Sequence, residues 1–362
     1  MNQSMFLENK MIAMADQKKK PISGVLELLP LCNMNCRMCY VRLTRNEMEK
    51  KGRMRTAEEW ISLAKEMQNA GVLFILLTGG ETLLYPDFKK VYLELQKMGM
   101  IVSVNTNGTL IDGEWIEFFT KHKPRKINIT IYGGSEDTYD RLCQYRGGYQ
   151  KTLQAIEELR ANDINVKVNY TVTKMNAHEV EKVIAWTKER GLPISIDTYM
   201  IPAKRERTKD FDMQSRLLPK EAAKVRARCW ELQMDIDEYE RNIKEMNEES
   251  KAIAKQEIKQ KCGMTCHAGS SSFTVTWVGQ MMPCLTLEKI RINVFEEGFL
   301  KAWGYLVEET QKIEINNQCA ECIYAPFCRT CAACAIAETG DNLGIPEYMC
   351  EYAKESFRIM ID

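Results

Sequence analysis

The chain has 362 residues, of which 50 are Lys or Arg and 50 are Asp or Glu, so its formal net charge is zero. This balance argues against a general nucleic-acid binder, which needs a basic surface, and no apolar run approaches the roughly 18–20 residues that span a bilayer. The segment Met1–Lys20 also lacks the apolar core of a signal peptide. We therefore expect a cytoplasmic protein with neither a membrane nor a nucleic acid as partner.

An alternation of strands and helices begins at Gly24. Six nearly continuous apolar runs are typical of buried parallel strands: Val25–Leu29, Leu73–Leu77, Ile101–Val104, Ile127–Ile131, Val166–Val172 and Ile194–Tyr199. Helices are indicated between them, the first by the capping-box pair Thr56 and Glu59. The pattern predicts an α/β core with a parallel sheet, open or partly closed into a barrel, whose ligands bind at the carboxyl ends of the strands.

The sequence after this core changes character twice. A highly charged stretch follows, in which Pro219 is predicted to start a long helix that runs to about Lys261. This segment, 219–261, is interpreted either as a solvated helix or helical hairpin, or as a helix that binds a partner such as the substrate peptide. A loop-rich region then contains a hairpin pattern, Ser272–Trp277 and Met281–Pro283, and we expect metal sites to supply folding free energy there. The expected units are an N-terminal extension, the core, a charged helical linker and a cysteine-rich domain: 1–21, 22–205, 206–261 and 262–362.

The 14 cysteines are unusual, because disulfides are rare in the cytosol. Three lie within Cys32–Cys39, nine lie within Cys262–Cys350, and only Cys143 and Cys229 stand apart. Closely spaced thiolates in a reducing compartment favour metal ligation. We interpret both groups as metal sites and the two isolated cysteines as small buried apolar residues.

The first cysteine group directly follows the first predicted strand and has the spacing Cys32-x3-Cys36-x2-Cys39. Three thiolates cannot complete a zinc site, and they leave one iron of a [4Fe–4S] cluster open. The motif resembles that of the radical S-adenosylmethionine (SAM) superfamily. This resemblance implies a partial (β/α)6 TIM-like barrel, in which the open iron binds SAM. Reductive cleavage of SAM then gives a 5′-deoxyadenosyl radical, which takes hydrogen from a substrate.

Further motifs at the strand ends extend the resemblance. Thr78-Gly79-Gly80-Glu81 ends the second predicted strand, where glycines let a backbone approach a ligand closely and Glu81 offers an acceptor to an ammonium group. Polar segments also end the third and fourth strands. The resemblance implies SAM contacts at these positions: Met38, Tyr40, Gly79, Gly80, Glu81, Asn105 and Thr130.

The second cysteine group resembles the SPASM domain, which carries two auxiliary [4Fe–4S] clusters; zinc ribbons are the alternative. The resemblance implies that the first auxiliary cluster is held by Cys262, Cys266 and Cys284. It implies that the second is held by Cys319, Cys322, Cys328 and Cys350. The remaining ligand of the first cluster is Cys331 or Cys334, and we favour Cys331 because its two-residue gap from Cys328 fits a tight turn. The expected cofactors are therefore SAM and three [4Fe–4S] clusters.

A SPASM domain implies a peptide substrate. The sequence is accordingly interpreted as a maturase that forms a thioether or carbon–carbon crosslink in a ribosomally made precursor peptide. The expected partners are that peptide and a reductant such as flavodoxin or ferredoxin. The first predicted strand follows only a short N-terminal segment, which leaves no room before it for a leader-binding domain. We therefore expect either a separate leader-recognition protein or another surface of the chain to bind the peptide.

Four alternatives remain beside this interpretation. A radical enzyme that acts on small molecules or RNA is disfavoured by the SPASM-like cysteine group and by the zero net charge. A sulfatase-maturating type of enzyme is disfavoured because Leu285 follows Cys284, where that group commonly has an acidic residue. A peptide epimerase would need a hydrogen donor, and no catalytic residue is assigned from the sequence. A non-catalytic iron–sulfur electron carrier would have no use for the pair Gly79 and Gly80 beside an open iron.

Overall fold

The computed structural model of the chain describes residues 3–202, 205–207, 215–258, 263–264 and 266–361. Within these residues one sheet has the strand order β6-β5-β4-β3-β2-β1-β7-β8-β9. Its strands are β1 Ser23–Glu27, β2 Phe74–Thr78, β3 Ile101–Thr106, β4 Lys126–Thr130, β5 Val166–Thr171, β6 Ile194–Asp197, β7 Ser272–Val275, β8 Gln280–Met282 and β9 Ile292–Asn293. Strands β1 to β6 pair in parallel with their neighbours in chain order. The six predicted strands and the partial-barrel fold class are confirmed.

Helices cover the core and connect its strands. In the first part of the chain they are Gln3–Gln17, Arg45–Lys51, Ala57–Asn69, Phe88–Lys97, Gly113–Lys121, Glu136–Cys143, Gly148–Ala161 and Val180–Glu189. The later helices are Pro219–Gln233, Ile236–Ala254, Val294–Glu297, Phe299–Gln311, Asn317–Ala320, Ala332–Thr339 and Glu347–Ile361. The predicted capping box is present, since Thr56 N donates to Glu59 Oε2 at 2.8 Å and Glu59 N donates to Thr56 Oγ1 at 3.2 Å. In the described part of the chain, no helix is both long and apolar enough to cross a membrane.

The core lies between the strands and the helices around them. Leu26, Leu77, Val104, Ile129 and Val168, one from each of the first five strands, are each at most 1% exposed. Burying a side chain of this size stabilises a fold by about 1.5–3 kcal/mol. The strands are therefore held firmly, and their carboxyl ends form a fixed edge on which a site can be built.

The charged stretch after the core forms a pair of helices, as in the helical-hairpin alternative. Instead of one long helix there are two, because the chain becomes extended at Met234 and Asp235 caps the next helix by accepting from Glu238 N at 2.8 Å. Residues 259–261, at the predicted end of that helix, lie outside the described residues. The first of the two helices packs against Glu347–Ile361 and buries Cys229. That helix is thus part of the core rather than a solvated linker, and the predicted burial of Cys229 is confirmed.

The predicted hairpin forms strands β7 and β8, which pair antiparallel. Strand β7 also pairs in parallel with β1, with Ser23 opposite Ser272 and Val25 opposite Thr274. The cysteine-rich region therefore continues the sheet of the core directly.

Candidate active site

A cavity of about 650 Å³ opens at the carboxyl ends of the parallel strands. The residues that end or directly precede the end of β2 to β6 contribute to its wall: Thr78, Asn105, Thr106, Thr130, Thr171 and Asp197. Volumes of about 300–1,000 Å³ are usual for small-molecule sites. Parallel sheets place their ligands at this edge, because loops from several strands converge there.

The cysteine loop after β1 forms one side of the cavity, and Cys32, Cys36 and Cys39 all line it. Backbone N–H groups point at two of the sulfurs: Met34 N lies 3.4 Å from Cys32 Sγ, and Arg42 N lies 3.2 Å from Cys39 Sγ. Burial raises the pKa of Cys32 and of Cys39, so these thiols release their protons when a metal centre binds. N–H groups aimed at sulfur favour the thiolate form that ligates iron.

The two glycines after β2 also line the cavity, but the structure gives them an additional role. Gly80 N donates to Leu29 O at 2.7 Å, and Glu81 N donates to Leu31 O at 2.8 Å. A Cβ atom on Gly80 would stand 2.2 Å from Leu31 O, and one on Gly79 would stand 2.6 Å from Leu29 O. The close approach that requires glycine is therefore the packing of β2 against the start of the cysteine loop.

Glu81 lies behind the cavity wall and is completely buried. Its carboxylate accepts from Thr106 Oγ1 at 2.7 Å, from Asn107 N at 2.7 Å and from Leu83 N at 3.1 Å. Burial raises the pKa of this carboxyl, while the three hydrogen bonds favour its charged form. Glu81 thus joins the ends of β2 and β3, and its direct contact with SAM stays a prediction.

Other predicted cofactor residues do line the cavity: Met38, Tyr40, Gly79, Gly80, Asn105 and Thr130. Asn105 is held by two amide contacts, accepting from Asn128 Nδ2 at 2.8 Å and donating to Thr78 Oγ1 at 3.4 Å. The pKa of Tyr40 is raised to about 12, mainly by burial, so its hydroxyl is neutral. The wall therefore combines polar strand ends with apolar and aromatic side chains.

Sequence reasoning missed a charged part of the wall formed by Arg205 and Glu288. Arg205 is 7% exposed at its side chain and holds the buried Glu27 through two hydrogen bonds of 2.8 and 3.0 Å. Its Nε lies 3.7 Å from Glu288 Oε1, and burial raises the pKa of Glu288. The available signal was an acidic residue four positions after Cys284, in the same loop.

The C-terminal cysteines fall into two neighbourhoods. The pKa of Cys319 is raised to about 11, first by burial and then by the neighbouring thiols of Cys328, Cys350 and Cys322. These are the four residues predicted for the second auxiliary cluster.

The other neighbourhood contains Cys331, whose pKa is raised by burial and by the nearby Cys284 and Cys266. Cys334 is 1% exposed, and its sulfur lies 2.9 Å from the hydroxyl of Tyr199. Cys262 lies outside the described residues. The structure therefore brings Cys331 toward the expected first auxiliary site and gives Cys334 a different partner.

Across the described ranges, no group of three His, Cys, Asp or Glu side chains is arranged to hold a single metal ion. An iron–sulfur cluster distributes its thiolate ligands over different irons, so those ligands lie farther apart than the ligands of one ion.

Comparison with known proteins identifies the part of the chain around the cavity. Residues 26–187 match the family model of the radical SAM superfamily. The chain contains a radical SAM domain. The matched region runs from β1 through the cysteine loop to the helix that follows β5, so it includes most of the cavity wall described above.

Curated relatives match this domain and, in some cases, the region beyond it. The AdoMet-dependent heme synthase of Methanosarcina barkeri is 27% identical over 332 residues, which are 88% of this chain and 93% of that protein. The sporulation killing factor maturation protein SkfB of Bacillus subtilis is 30% identical over 171 residues, 47% of this chain and 40% of SkfB. The subtilosin biosynthesis protein AlbA of Bacillus subtilis is 23% identical over 345 residues, which are 92% of this chain and 71% of AlbA.

Solved structures share the fold over nearly the whole chain. The structure of anSMEcpe with bound AdoMet superposes with a TM-score of 0.70 at 21% identity, covering 93% of this chain and 92% of that one. Streptococcus suis SuiB bound to the precursor peptide SuiA superposes with a TM-score of 0.67 at 15% identity, covering 97% and 81%. The common fold therefore extends from the radical SAM domain into the cysteine-rich region.

A radical SAM domain implies SAM and one [4Fe–4S] cluster, and the residues of this chain fit both. Cys32, Cys36 and Cys39 supply three sulfur donors on one wall of the cavity, while the strand ends supply polar groups on the other. N–H donors near two of the sulfurs suit an anionic cluster.

Proposed function

We propose that the chain modifies a ribosomally made peptide and forms a thioether or carbon–carbon crosslink in it. The observation that carries this proposal is the position of the cavity between the two cysteine groups. One wall is the Cys32–Cys39 loop, and another contains Leu285–Thr286 directly after Cys284, with Arg329 directly after Cys328. A substrate in the cavity would lie between the SAM site and the expected auxiliary sites, as an oxidative crosslinking reaction requires.

The rim of the cavity suits a polar chain such as a peptide. Arg329 Nη1 lies 3.3 Å from Asp197 Oδ1, and both residues are substantially exposed at the cavity mouth. Lys289 is exposed beside them, while Arg205 and Glu288 place charges deeper in the wall. Donors and acceptors at these positions can pair with the amide groups of an extended peptide.

The cofactors have distinct proposed places around this substrate. SAM and its cluster, once bound and reduced by a donor such as flavodoxin or ferredoxin, supply hydrogen abstraction. The polar strand ends that line the cavity would hold and orient SAM. We propose that one auxiliary [4Fe–4S] cluster is held by Cys262, Cys266, Cys284 and Cys331. The second is held by Cys319, Cys322, Cys328 and Cys350.

The proposed ligand sets predict how iron content responds to two neighbouring substitutions. Reconstituted protein should contain about twelve irons per chain, from three four-iron clusters. Cys331→Ala should lose about four of them because it removes a ligand, whereas Cys334→Ala should retain nearly all. The measurement is iron per chain after anaerobic reconstitution and desalting. Equal iron content in the two variants would contradict the assignment of Cys331 as a ligand. Loss of iron from Cys334→Ala alone would assign the ligand to Cys334 instead.

The reaction itself is tested by mass. The protein should be incubated anaerobically with SAM, dithionite and each short peptide encoded beside its gene. A crosslink should remove a pair of hydrogen atoms for each bond formed, and fragmentation should show two residues joined. Epimerisation would leave the mass unchanged, and an oxidised residue without a joined partner would favour a sulfatase-maturating type of reaction. SAM cleavage with no change in any peptide would contradict the proposal.

A second candidate, tetrapyrrole modification, is favoured by one observation. One of the relatives that span most of both chains is the Methanosarcina barkeri heme synthase. The discriminating experiment replaces the peptides by Fe-coproporphyrin III, the compound named in another relative from that organism. Loss of mass from the porphyrin, but from none of the peptides, would establish this candidate.

A separate recognition protein for the precursor leader is also part of the proposal. Its alternative is a surface of the chain, for which the charged segment 219–261 was the candidate, and the helix Ile236–Ala254 lies within that segment. Ile236 is 73% exposed at the start of that helix, and buried positions occur only near its end, at Ser250 and Ile253. This helix thus offers a solvent-facing surface. A comparison of peptide binding by the protein with and without this helix would decide between a separate recognition protein and the helix surface.

A further inference from the structure

Cys143 lies beside the cysteine loop, although it is more than 100 positions away in sequence. It ends the helix Glu136–Cys143, and that helix end docks on the loop through two backbone hydrogen bonds. Asn35 N donates to Cys143 O and Arg37 N donates to Leu142 O, both at 2.9 Å. The two bonds flank Cys36, so they fix this residue next to the helix end.

The side chain of Cys143 is enclosed and completely buried. It belongs to a small buried cluster with Cys36, Met34, Tyr139 and Leu142. The predicted burial is thus confirmed, and it places Cys143 in the same buried cluster as Cys36, the middle cysteine of the loop.

We propose that the Cys143 thiol donates a hydrogen bond to the sulfur of Cys36 and thereby raises the reduction potential of the cluster held by the cysteine loop. Hydrogen bonds to ligand sulfurs are a principal determinant of iron–sulfur potentials, because they offset the negative charge that the cluster gains on reduction. Cys143 is therefore a positioning and tuning residue. The inference depends on the cluster of the radical SAM domain and is independent of the substrate proposed above.

The test uses Cys143→Ala, which removes the donor, and Cys143→Ser, which keeps a hydroxyl donor in its place. Cys229→Ala is the matched control, because Cys229 is also buried, at 2% exposure, on a helix in a different part of the core. The readout is the midpoint potential of the reduced-cluster electron paramagnetic resonance signal that changes on addition of SAM. This change distinguishes the open cluster from any auxiliary cluster.

In Cys143→Ala a smaller fraction of this cluster should be reduced at a fixed potential. The ratio of reduced to oxidised cluster should fall by about three- to tenfold, and a tenfold fall corresponds to about 59 mV for one electron. Cys143→Ser should recover part of the change, and Cys229→Ala should show none. Iron content and thermal unfolding should stay close to wild type in Cys143→Ser, which separates tuning from a folding defect.

Two results would overturn the inference. One is a midpoint potential in Cys143→Ala equal to that of the Cys229→Ala control. The other is an electron paramagnetic resonance signal that SAM changes in Cys143→Ala but does not change in the wild type. Cys143 would then be a fourth ligand that occupies the open iron of the cluster. Neither result depends on whether a peptide is the substrate.

Discussion

Replacement of Cys32, Cys36 and Cys39 together by Ala is expected to abolish 5′-deoxyadenosine formation from SAM. The three sulfurs line the same cavity as the strand ends, and no cluster with an open iron can be held there without them. The product is measured by chromatography after anaerobic incubation with dithionite. Iron content should fall by about four atoms per chain, since one four-iron cluster is lost.

The matched control for this variant is Cys229→Ala, which removes a buried thiol remote from the cavity. It should keep both its iron content and its SAM cleavage. Continued 5′-deoxyadenosine formation in the triple variant, at the rate of the control, would mean that the radical is generated elsewhere in the protein.

Gly80→Ala is expected to lower the free energy of unfolding by at least about 2 kcal/mol, since overpacking against rigid surroundings typically costs 1–3 kcal/mol. The new Cβ would stand 2.2 Å from the carbonyl oxygen of Leu31, and backbone on both sides restricts relaxation. Displacement of β2 from the cysteine loop should also reduce SAM cleavage more than tenfold, since catalysis depends on the placement of reacting groups. Chemical denaturation and 5′-deoxyadenosine assays measure the two effects.

Gly304→Ala controls for the substitution itself. Gly304 is exposed within the helix Phe299–Gln311, and a Cβ there meets no heavy atom within 4 Å. The change should stabilise the protein by about 0.8–1 kcal/mol, because Ala is the better helix former. A Gly80→Ala variant as stable and as active as Gly304→Ala would show that the close approach after β2 is not required.

The strand ends and the cysteine spacing were predictable because both follow from local sequence patterns. A buried parallel strand is a continuous apolar run, and a loop that holds a cluster needs its thiolates close together in the chain. The predicted positions Asn105 and Thr130 therefore came to line the same cavity as Cys36. Local patterns can place residues at a strand end, but they do not show which way each side chain points. Glu81, for example, points behind the wall.

What escaped prediction depends on contacts between distant parts of the chain. The pair Glu27 and Arg205 joins residues 178 positions apart, and the contact of Cys36 with Cys143 depends on how one helix end docks. A helical hairpin was an alternative for the charged stretch, but its break at Met234 was not located, since a charged sequence with few breakers favours one continuous helix. Asp235, a good N-cap residue, was the local signal of a second helix start.

The pairing of β1 with β7 has a consequence for the order in which this protein can fold during synthesis. Strand β1 is among the first elements to leave the ribosome, yet its partner on one side, Ser272–Val275, is made about 250 residues later. Until then one edge of β1 offers unpaired N–H and C=O groups, which is a template for association with other chains. Contacts so far apart in sequence also slow folding. We therefore expect nascent chains that stop before β7 to depend on chaperones and to aggregate without them.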